Sequence, residues 1–412
     1  MINFDRFELS NGLKVIVHQD KSTPIVAMNI IYKVGSRDES VRRTGFAHLF
    51  EHLMFGGSKN IPKFDKPLEE AGGENNAFTN SDYTNYYLTI PKNNLEIAFW
   101  LESDRMLDLA FSNQSLDVQR QVVIEEFKQN YLNQPLGDVY LLLKPLAYKK
   151  HPYRWNTIGK DIHHIESATM KHVRSFYKKY YNPNNAILSI AGDVEISDIK
   201  KLAKKWFEPI PSGINIERNY PKEPEQMARR KKSVKRNIPL DALYMAWHMP
   251  NRTDIGFYHC DLISDILSNG NSSRLYRKLV KDKGMFSEIN AFVTGDLDEG
   301  LFIVSGKVLN HITMTKAIAA IESELDLIST EIVDPIEFEK VKNKLEANMI
   351  YSSSSVLTKA MNLGFYELLG DANKWNNELE IYRSISREEM RDTAKRIFQK
   401  KNQNILIYNK QS

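Results

Sequence analysis

The most informative segment of this chain is Thr44-Gly45-Phe46-Ala47-His48-Leu49-Phe50-Glu51-His52-Leu53. Its apolar residues recur at the i, i+3, i+4 and i+7 spacing of an amphipathic helix, and Thr44-Gly45 supplies a start signal. His48, Glu51 and His52 follow nearly the same period on a second face. Residues four apart share a helix face, so His48 and His52 can hold one cation while Glu51 stands beside its water. The segment therefore predicts a hydrolytic metal site.

A third metal ligand is expected on another element, because catalytic zinc usually takes three protein ligands and keeps one position for water. The best candidate is Glu126 in Gln119-Arg120-Gln121-Val122-Val123-Ile124-Glu125-Glu126-Phe127. Read as a helix, this segment places Glu126 on the inward face with Val122 and Val123, where a cation would relieve the cost of burying a carboxylate. Glu125 is expected in solvent. The alternatives are an ordinary helix-surface glutamate and, for the motif itself, two histidines beside an unrelated glutamate.

Taken together, these residues resemble the inverzincin metallopeptidases of the pitrilysin and insulin-degrading enzyme family. The resemblance rests on His-x-x-Glu-His and on a glutamate in a Val-Val-Ile-Glu-Glu segment 126 − 52 = 74 positions later. Further stretches that match in the family's order are Asn11-Gly12-Leu13, Val34-Gly35-Ser36-Arg37, Gly72-Gly73, Asn76-Ala77-Phe78-Thr79 and Tyr181-Asn182-Pro183-Asn184-Asn185. The layout is closest to small bacterial members, which are similar to a mitochondrial processing peptidase subunit.

The resemblance implies a zinc-dependent endopeptidase that hydrolyses peptides or unfolded polypeptides. Zn2+ would be held by His48, His52 and Glu126, and Glu51 would act as the general base. Asn76 and Ala77 would lie on an edge strand that pairs its backbone with the peptide substrate. Composition alone leaves a plain hairpin as the alternative for that segment.

The chain is long enough, at 412 residues, to predict more than one domain. Prolines, polar residues and a basic run predict a linker at 213–233, between an N-terminal metallopeptidase domain (1–212) and a related C-terminal domain (234–412) that lacks metal ligands. We interpret the basic cluster Arg229-Arg230-Lys231-Lys232 as part of a solvated linker. A nucleic-acid or membrane patch is the alternative, but no aromatic residues alternate with these charges.

The two halves look like copies of one unit. The segment from Ile165 to Asn184 matches the segment from Ile385 to Asn404 at a constant offset of 220. Mixed strands and long helices in both halves predict an α+β fold of two related domains, each a mixed sheet with helices packed on it. The family implies that the two face each other across a cleft.

The second copy lacks the metal motif. At an offset of 211, Gly256-Phe257-Tyr258-His259 echoes Gly45-Phe46-Ala47-His48, but Leu262 and Ile263 stand where Glu51 and His52 would be. His259 is therefore expected to be a packing or surface histidine, and the metal is expected in the first domain alone.

Two departures from the family pattern affect the expected activity. Gln119 stands seven positions before Glu126, where the family commonly has an acidic residue that supports the ligand. The register of the second half places Val280 and Ser287 where an Arg and a Tyr hold the substrate carbonyl in the family. We therefore expect a companion subunit that supplies this pair in a heterodimer, or alternatively a homodimer. A non-catalytic peptide-binding or assembly subunit is the competing function.

Composition and charge bear on the partners and the cellular location expected for this protein. The net charge of 56 − 52 = +4 argues against nucleic acid as the main partner. No apolar run approaches the length of a membrane span, so no membrane partner is expected. The first residues lack the order of a signal peptide, which favours a cytoplasmic protein, or a periplasmic one if a signal peptide has been removed. Cys260, the lone cysteine, is expected to be a small buried apolar residue.

Overall fold

The computed structural model describes residues 2–411, which contain two β-sheets with helices packed on them. The strands are β1 (Asp5–Glu8), β2 (Lys14–Gln19), β3 (Ile25–Tyr32), β4 (Glu74–Thr79), β5 (Thr84–Pro91), β6 (Ala186–Gly192), β7 (Arg230–Arg236), β8 (Asp241–Met249), β9 (Phe286–Val293), β10 (Gly300–Val308) and β11 (Gln403–Lys410). Sheets of this kind with packed helices confirm the predicted α+β class.

The α-helices fill the intervals between strands. They are α1 (Phe46–Leu53), α2 (Asp65–Glu70), α3 (Leu95–Leu107), α4 (Asn113–Phe127), α5 (Val139–Ala147), α6 (His163–Glu166), α7 (Met170–Tyr180), α8 (Ile196–Trp206), α9 (Ile255–Ser268), α10 (Met314–Thr330), α11 (Pro335–Ser352), α12 (Val356–Leu368), α13 (Lys374–Ser384) and α14 (Arg387–Ile397). Wider helical turns occupy Lys128–Leu132 and Tyr276–Asp282, and short 3₁₀ turns occupy Ser36–Asp38, Lys92–Asn94, Pro152–Arg154, Pro183–Asn185 and Lys400–Asn402. Within residues 2–411, none of these helices has both the length and the apolar composition needed to cross a membrane.

The first sheet has the strand order β1-β2-β6-β3-β5-β4. Strands β2 and β6 run parallel, and every other neighbouring pair is antiparallel. The central strands β3 and β6 are apolar runs buried almost throughout, as expected for strands covered on both faces. At the opposite end of the sheet from β1, β4 is an edge strand.

The second sheet repeats this arrangement with the order β7-β11-β8-β10-β9. Strands β7 and β11 run parallel, as β2 and β6 do, and the remaining pairs are antiparallel. The two segments related by the offset of 220 become α7 followed by β6 and α14 followed by β11. The predicted internal repeat is therefore confirmed at the level of strand order and helix–strand sequence.

Each of the two compact units is built from three segments that are not contiguous in sequence. Unit 1 comprises the chain up to Lys128, Trp155–Tyr220 and Ile350–Asn377, and unit 2 comprises Gln129–Arg154, Pro221–Met349 and the residues from Glu378 onwards. The sequence predicted one N-terminal and one C-terminal domain, with boundaries at 212 and 234. It did not predict that each unit also contains segments from the other half of the chain. In the predicted linker, residues 213–229 form no helix or strand, and residues 230–233 belong to β7.

Helix α12 belongs to unit 1 because it packs on the first sheet. Leu363 lies against Ile16, Ile31 and Ile187 of strands β2, β3 and β6. Lys359 of the same helix forms an ion pair with Asp20 at the end of β2. One face of the first sheet is thus covered by a helix from the second half of the sequence.

Candidate metal centre

Helix α1 begins where the sequence predicted, with Gly45 preceding its first residue. Gly45 has a φ of 88°, which favours glycine, and a Cβ at this position would lie 2.7 Å from the carbonyl oxygen of Ile158. The predicted apolar face of the helix is buried, since Phe46, Leu49, Phe50 and Leu53 are each at most 5% exposed. The opposite face presents His48, Glu51 and His52, which are half-buried.

The N-terminus of α1 is held by a residue that the sequence analysis missed. The Glu39 carboxylate accepts hydrogen bonds from the backbone N–H of Gly45 at 2.9 Å and of Ala47 at 2.8 Å. Glycine has no side chain with which to cap a helix, so an acceptor must come from elsewhere in the chain. Burial raises the pKa of Glu39 well above its usual value. An acidic residue shortly before a helix that starts at glycine is the signal that could have identified it.

The buried face of α1 is fixed by aromatic side chains from the sheet and from the residue that directly follows α7. The Tyr86 hydroxyl donates to the carbonyl oxygen of Phe50 at 3.3 Å. The ring of Phe50 stacks on that of Tyr181, with 5.1 Å between centroids and 25° between planes. These contacts limit rotation of the helix and so fix the direction in which His48 and His52 point.

Helix α4 brings Glu126 to the two histidines. It begins after Ser112, whose side chain accepts from the backbone N–H of Ser115. Val123 is fully buried and Glu125 is exposed, as expected, but Val122 is 43% exposed, so its assignment to the inward face was wrong. The helix is buried through Leu116, Val123 and Phe127, and Glu126 lies at the border between that face and solvent.

The side chains of His48, His52 and Glu126 meet in one cluster. Oε2 of Glu126 lies 3.6 Å from Nε2 of His48 and 3.4 Å from Nε2 of His52. One ligand atom from each residue lies within 4.8 Å of the others, and within residues 2–411 this is the single such group of three His, Cys, Asp or Glu residues. The structure thus brings the three sequence-predicted ligands together, while their role as ligands stays a prediction.

The electrostatics of the cluster favour the metal-binding state of His48. Burial lowers the pKa of His48 to about 4, with Glu126 opposing and His52 reinforcing that change. His48 is therefore neutral near pH 7 and can offer a nitrogen lone pair. Burial also raises the pKa of Glu51, against the influence of hydrogen bonding to Thr79. A carboxylate whose pKa is moved towards neutrality is suited to accept and return a proton.

Strand β4 lies next to this cluster. Thr79, the hydrogen-bonding partner of Glu51, is the last residue of β4, and the strand packs against α1. Asn76 and Ala77 lie on the same strand, with Asn76 exposed and its side chain accepting from the N–H of Ala77 at 2.7 Å. Their expected position on an edge strand is confirmed, whereas pairing with a peptide stays a prediction.

The positions that depart from the family pattern lie on α4 and in unit 2. Gln119 is half-buried on α4, two turns before Glu126. In unit 2, Val280 packs against the apolar core and Ser287 is exposed on β9.

His259 is buried and hydrogen-bonded to Thr393 at 2.8 Å, which confirms that it is a packing histidine. Cys260 is buried and unpaired, as predicted.

The fold and the inverted His-x-x-Glu-His helix define the class of protein, which is that of the insulinase-type peptidases with two repeated α+β units. Comparison of the sequence with known families agrees. Residues 14–158 match the family described as Insulinase (Peptidase family M16), and residues 167–345 match the one described as Peptidase M16 inactive domain. The chain therefore belongs to the insulinase family of peptidases.

Several relatives match most of the chain. "Zinc protease PqqE" of Helicobacter pylori is 32% identical over 356 residues, which are 84% of this chain and 79% of that protein. "Probable mitochondrial-processing peptidase subunit beta" of Schizosaccharomyces pombe is 26% identical over 383 residues, 86% of this chain and 80% of that protein. The crystal structure of a protease from Helicobacter pylori has a TM-score of 0.93 at 27% identity and covers 99% of this chain and 100% of that one.

Proposed function

We propose that this chain is a zinc-dependent endopeptidase that hydrolyses peptides or unfolded polypeptides. The observation that carries the proposal is the convergence of His48, His52 and Glu126 to ligand-atom separations within 4.8 Å, beside Glu51. A His–Glu cluster held only by hydrogen bonds would show distances of about 2.7–3.2 Å. The observed 3.4 and 3.6 Å are instead close to the separation of about 3.3 Å between two ligands of a tetrahedral zinc ion.

The donor set fits zinc. Two imidazole nitrogens and one carboxylate oxygen form a three-ligand set of the kind found in catalytic zinc sites, which leave a fourth position for water. Zinc, when bound, supplies a Lewis acid that lowers the pKa of water towards neutrality. His48 and His52 would hold the ion as neutral ligands, and Glu126 would contribute the single protein charge. The hydrogen bonds that cap the N-termini of α1 and α4, together with the aromatic side chains packed on α1, would hold these donors in place.

Glu51 would carry the proton transfers. It stands on the same face of α1 as the two histidines and is half-buried, which raises the pKa of its carboxyl. In the proposed reaction, Glu51 accepts the proton of the attacking water and returns it to the leaving amine. Removal of the carboxylate should therefore affect turnover without removing a metal ligand.

Substrate would be bound as an extended strand along β4. Edge strands present unpaired backbone groups, and pairing through the backbone gives affinity with little dependence on side chains. Asn76 and Ala77 lie on this edge, in the strand whose Thr79 contacts Glu51. This arrangement supports peptides or unfolded polypeptides as the substrate class.

A companion subunit is part of the proposal. Val280 packs against an apolar core and Ser287 carries only a hydroxyl, so neither can replace an Arg or Tyr that would hold the substrate carbonyl. Loss of one donor to a developing oxyanion typically costs about a hundredfold or more in rate. We infer that a sister chain of similar length supplies these groups in a heterodimer, with a homodimer as the alternative assembly.

The proposal is tested by digestion of a mixed peptide pool with the zinc-loaded chain alone and after co-expression with candidate sister chains. We expect cleavage that a chelator abolishes and that zinc restores, with the faster rate in the co-expressed sample. Full activity of the isolated chain would remove the need for a companion. Zinc binding without cleavage in any combination would instead favour a peptide-binding or assembly subunit.

A further inference from the structure

Strand β7 is an edge strand with an unusual concentration of positive charge. Within residues 2–411, β11 is its only strand neighbour, and it runs parallel to it. The cationic residues in and directly before the strand are Arg229, Arg230, Lys231, Lys232, Lys235 and Arg236. The first four were interpreted from the sequence as part of a solvated linker, whereas the structure places three of those four in the strand.

The arginines of this group already have partners. Arg229 forms an ion pair with Glu322, and Arg236 forms one with Asp138. Arg230 donates to the carbonyl oxygens of Leu146 and Ala147 at the end of α5. Lys231, Lys232 and Lys235 are exposed, and within residues 2–411 no carboxylate lies in ion-pair contact with them. Three lysines therefore remain available to a ligand.

The backbone of β7 also has an available edge. The carbonyl oxygen of Arg236 accepts from the N–H of Gln411, so the backbone groups of Arg236 point towards β11. Successive residues of a strand point their N–H and C=O groups to opposite sides, and this alternation turns the N–H groups of Lys231, Ser233 and Lys235 away from β11. The outer edge thus presents three donors in a row.

The lysines flank this edge on both faces of the sheet. Val234 is partly buried against the core cluster that includes residues of α5, and Arg230 and Arg236 bond to the two ends of that helix, so even-numbered residues share the α5 face. Lys232 lies on that face too, whereas Lys231 and Lys235 lie on the other. A strand added along the edge would meet positive charge on either side.

We propose that β7 binds an acidic polypeptide segment in extended conformation, which adds to the second sheet as a further strand. Backbone pairing with the outward N–H groups would supply the register, and the three lysines would select carboxylate-bearing side chains. Charges on edge strands commonly prevent two edges from pairing. Here they exclude a second copy of β7, which has the same charge, and they leave an acidic strand as the complementary partner.

The binding test uses the full chain in the presence of a chelator, so that the proposed peptidase site cannot cleave the probe. The probe is a fluorescent octapeptide in which glutamate alternates with valine, followed by fluorescence polarisation. We expect saturable binding that weakens as salt is raised, and no binding of the same peptide with lysine in place of glutamate. Absence of binding by the acidic peptide at low salt would overturn the proposal.

Two variants test separately how charge and backbone pairing contribute to the affinity for the peptide. Lys231→Glu/Lys235→Glu should raise the Kd of the peptide about tenfold or more, and Lys200→Glu/Lys204→Glu, an equal charge change on α8, should leave it nearly unchanged. Ser233→Pro removes one outward N–H and the side-chain hydrogen bond from Asn409, but no ladder bond to β11, so it should weaken peptide binding in a protein that keeps its far-ultraviolet circular dichroism.

A third comparison does not depend on the folding of any variant. An acidic octapeptide with methylated backbone nitrogens keeps its charge but cannot pair with a strand edge, and we expect it to bind at least about tenfold more weakly. An oligodeoxythymidylate of equal charge should also bind more weakly than the unmodified peptide. Equal binding of the methylated peptide or of the oligonucleotide would show a surface for anions in general and would contradict strand addition.

Discussion

Nε2 of His52 lies 3.4 Å from Oε2 of Glu126, although 126 − 52 = 74 residues separate the two in sequence. Packing of α1 against α4 creates this proximity, and the buried apolar faces of both helices hold it. A carboxylate and two imidazoles held this way carry an electrostatic cost that a divalent cation relieves. The candidate site is therefore a product of tertiary packing as much as of the local His-x-x-Glu-His spacing.

Glu126→Gln should lower zinc affinity, because the variant loses the one anionic ligand of the proposed site. Changes to groups that merely support a ligand cost about 10–100-fold in metal affinity, and loss of the ligand should cost at least as much. Zinc content after equilibration with a competing chelator measures the effect. The matched control is Glu125→Gln, the exposed neighbour on the same helix. Equal zinc retention by the two variants would show that Glu126 is not a ligand.

Glu51→Gln should keep zinc and lose turnover. General-base catalysis contributes about 10²–10⁴-fold, so kcat in the active assembly should fall by that order. Zinc stoichiometry and peptide cleavage are measured on the same preparation, with Glu69→Gln, an exposed change on α2, as the control. A variant that cleaves at the wild-type rate when fully loaded would remove Glu51 from the mechanism.

Glu39→Ala should destabilise the start of α1 and weaken zinc binding. Two backbone N–H groups lose their acceptor, and loss of a helix cap costs about 1–2 kcal/mol. Glu39→Gln keeps one acceptor oxygen and should recover part of both effects, whereas Glu70→Ala on the surface of α2 should change neither. Chemical denaturation and zinc titration provide the measurements. Wild-type zinc affinity in a folded Glu39→Ala protein would contradict the role assigned to this residue.

Asp20→Asn should lower the free energy of unfolding near pH 7 by roughly 1–3 kcal/mol, since it breaks a largely buried charge-assisted contact with Lys359. The hydrogen bond from Lys359 holds the pKa of Asp20 well below its usual value of 3.8. At pH values below 3.8 the unfolded chain takes up this proton before the folded chain does, so the stabilisation is present above that pH and is lost as pH falls.

Denaturation curves from neutral pH to about pH 3 check this dependence, because the difference between wild type and Asp20→Asn should shrink at the acidic end. Asp198→Asn, which affects an exposed pair with Lys201, is the control and should change the free energy of unfolding by less than about 1 kcal/mol. A difference between wild type and Asp20→Asn that stays constant with pH would contradict the assigned contact.

Local patterns in the sequence were sufficient to predict helix α1. The spacing of Phe46, Leu49, Phe50 and Leu53 fixes its buried face, and Gly45 marks its start. The repeat at an offset of 220 likewise predicted two equivalent helix–strand segments, which the structure contains as α7 with β6 and α14 with β11. These features depend on residues close together in sequence, for which periodicity is informative.

Features that depend on distant contacts were not predictable in the same way. Val122 was placed on the inward face, but α4 is buried through Val123 and Phe127, and only its packing partners determine which side faces inward. The contribution of residues 350–377 to the first unit also leaves no periodic signal, because periodicity indicates which face of a helix is apolar but not which sheet it packs on. Glu39 was overlooked since it lies six residues before Gly45, the glycine without a side chain that precedes the helix it caps.

The central claim is that His48, His52 and Glu126 hold one zinc ion. Anomalous X-ray diffraction at the zinc absorption edge, from crystals of the zinc-loaded chain, tests it most directly. We expect one strong peak at about 2.0–2.2 Å from Nε2 of each histidine and from a carboxylate oxygen of Glu126. No peak there, in crystals whose fluorescence shows zinc bound to the protein elsewhere, would contradict the account.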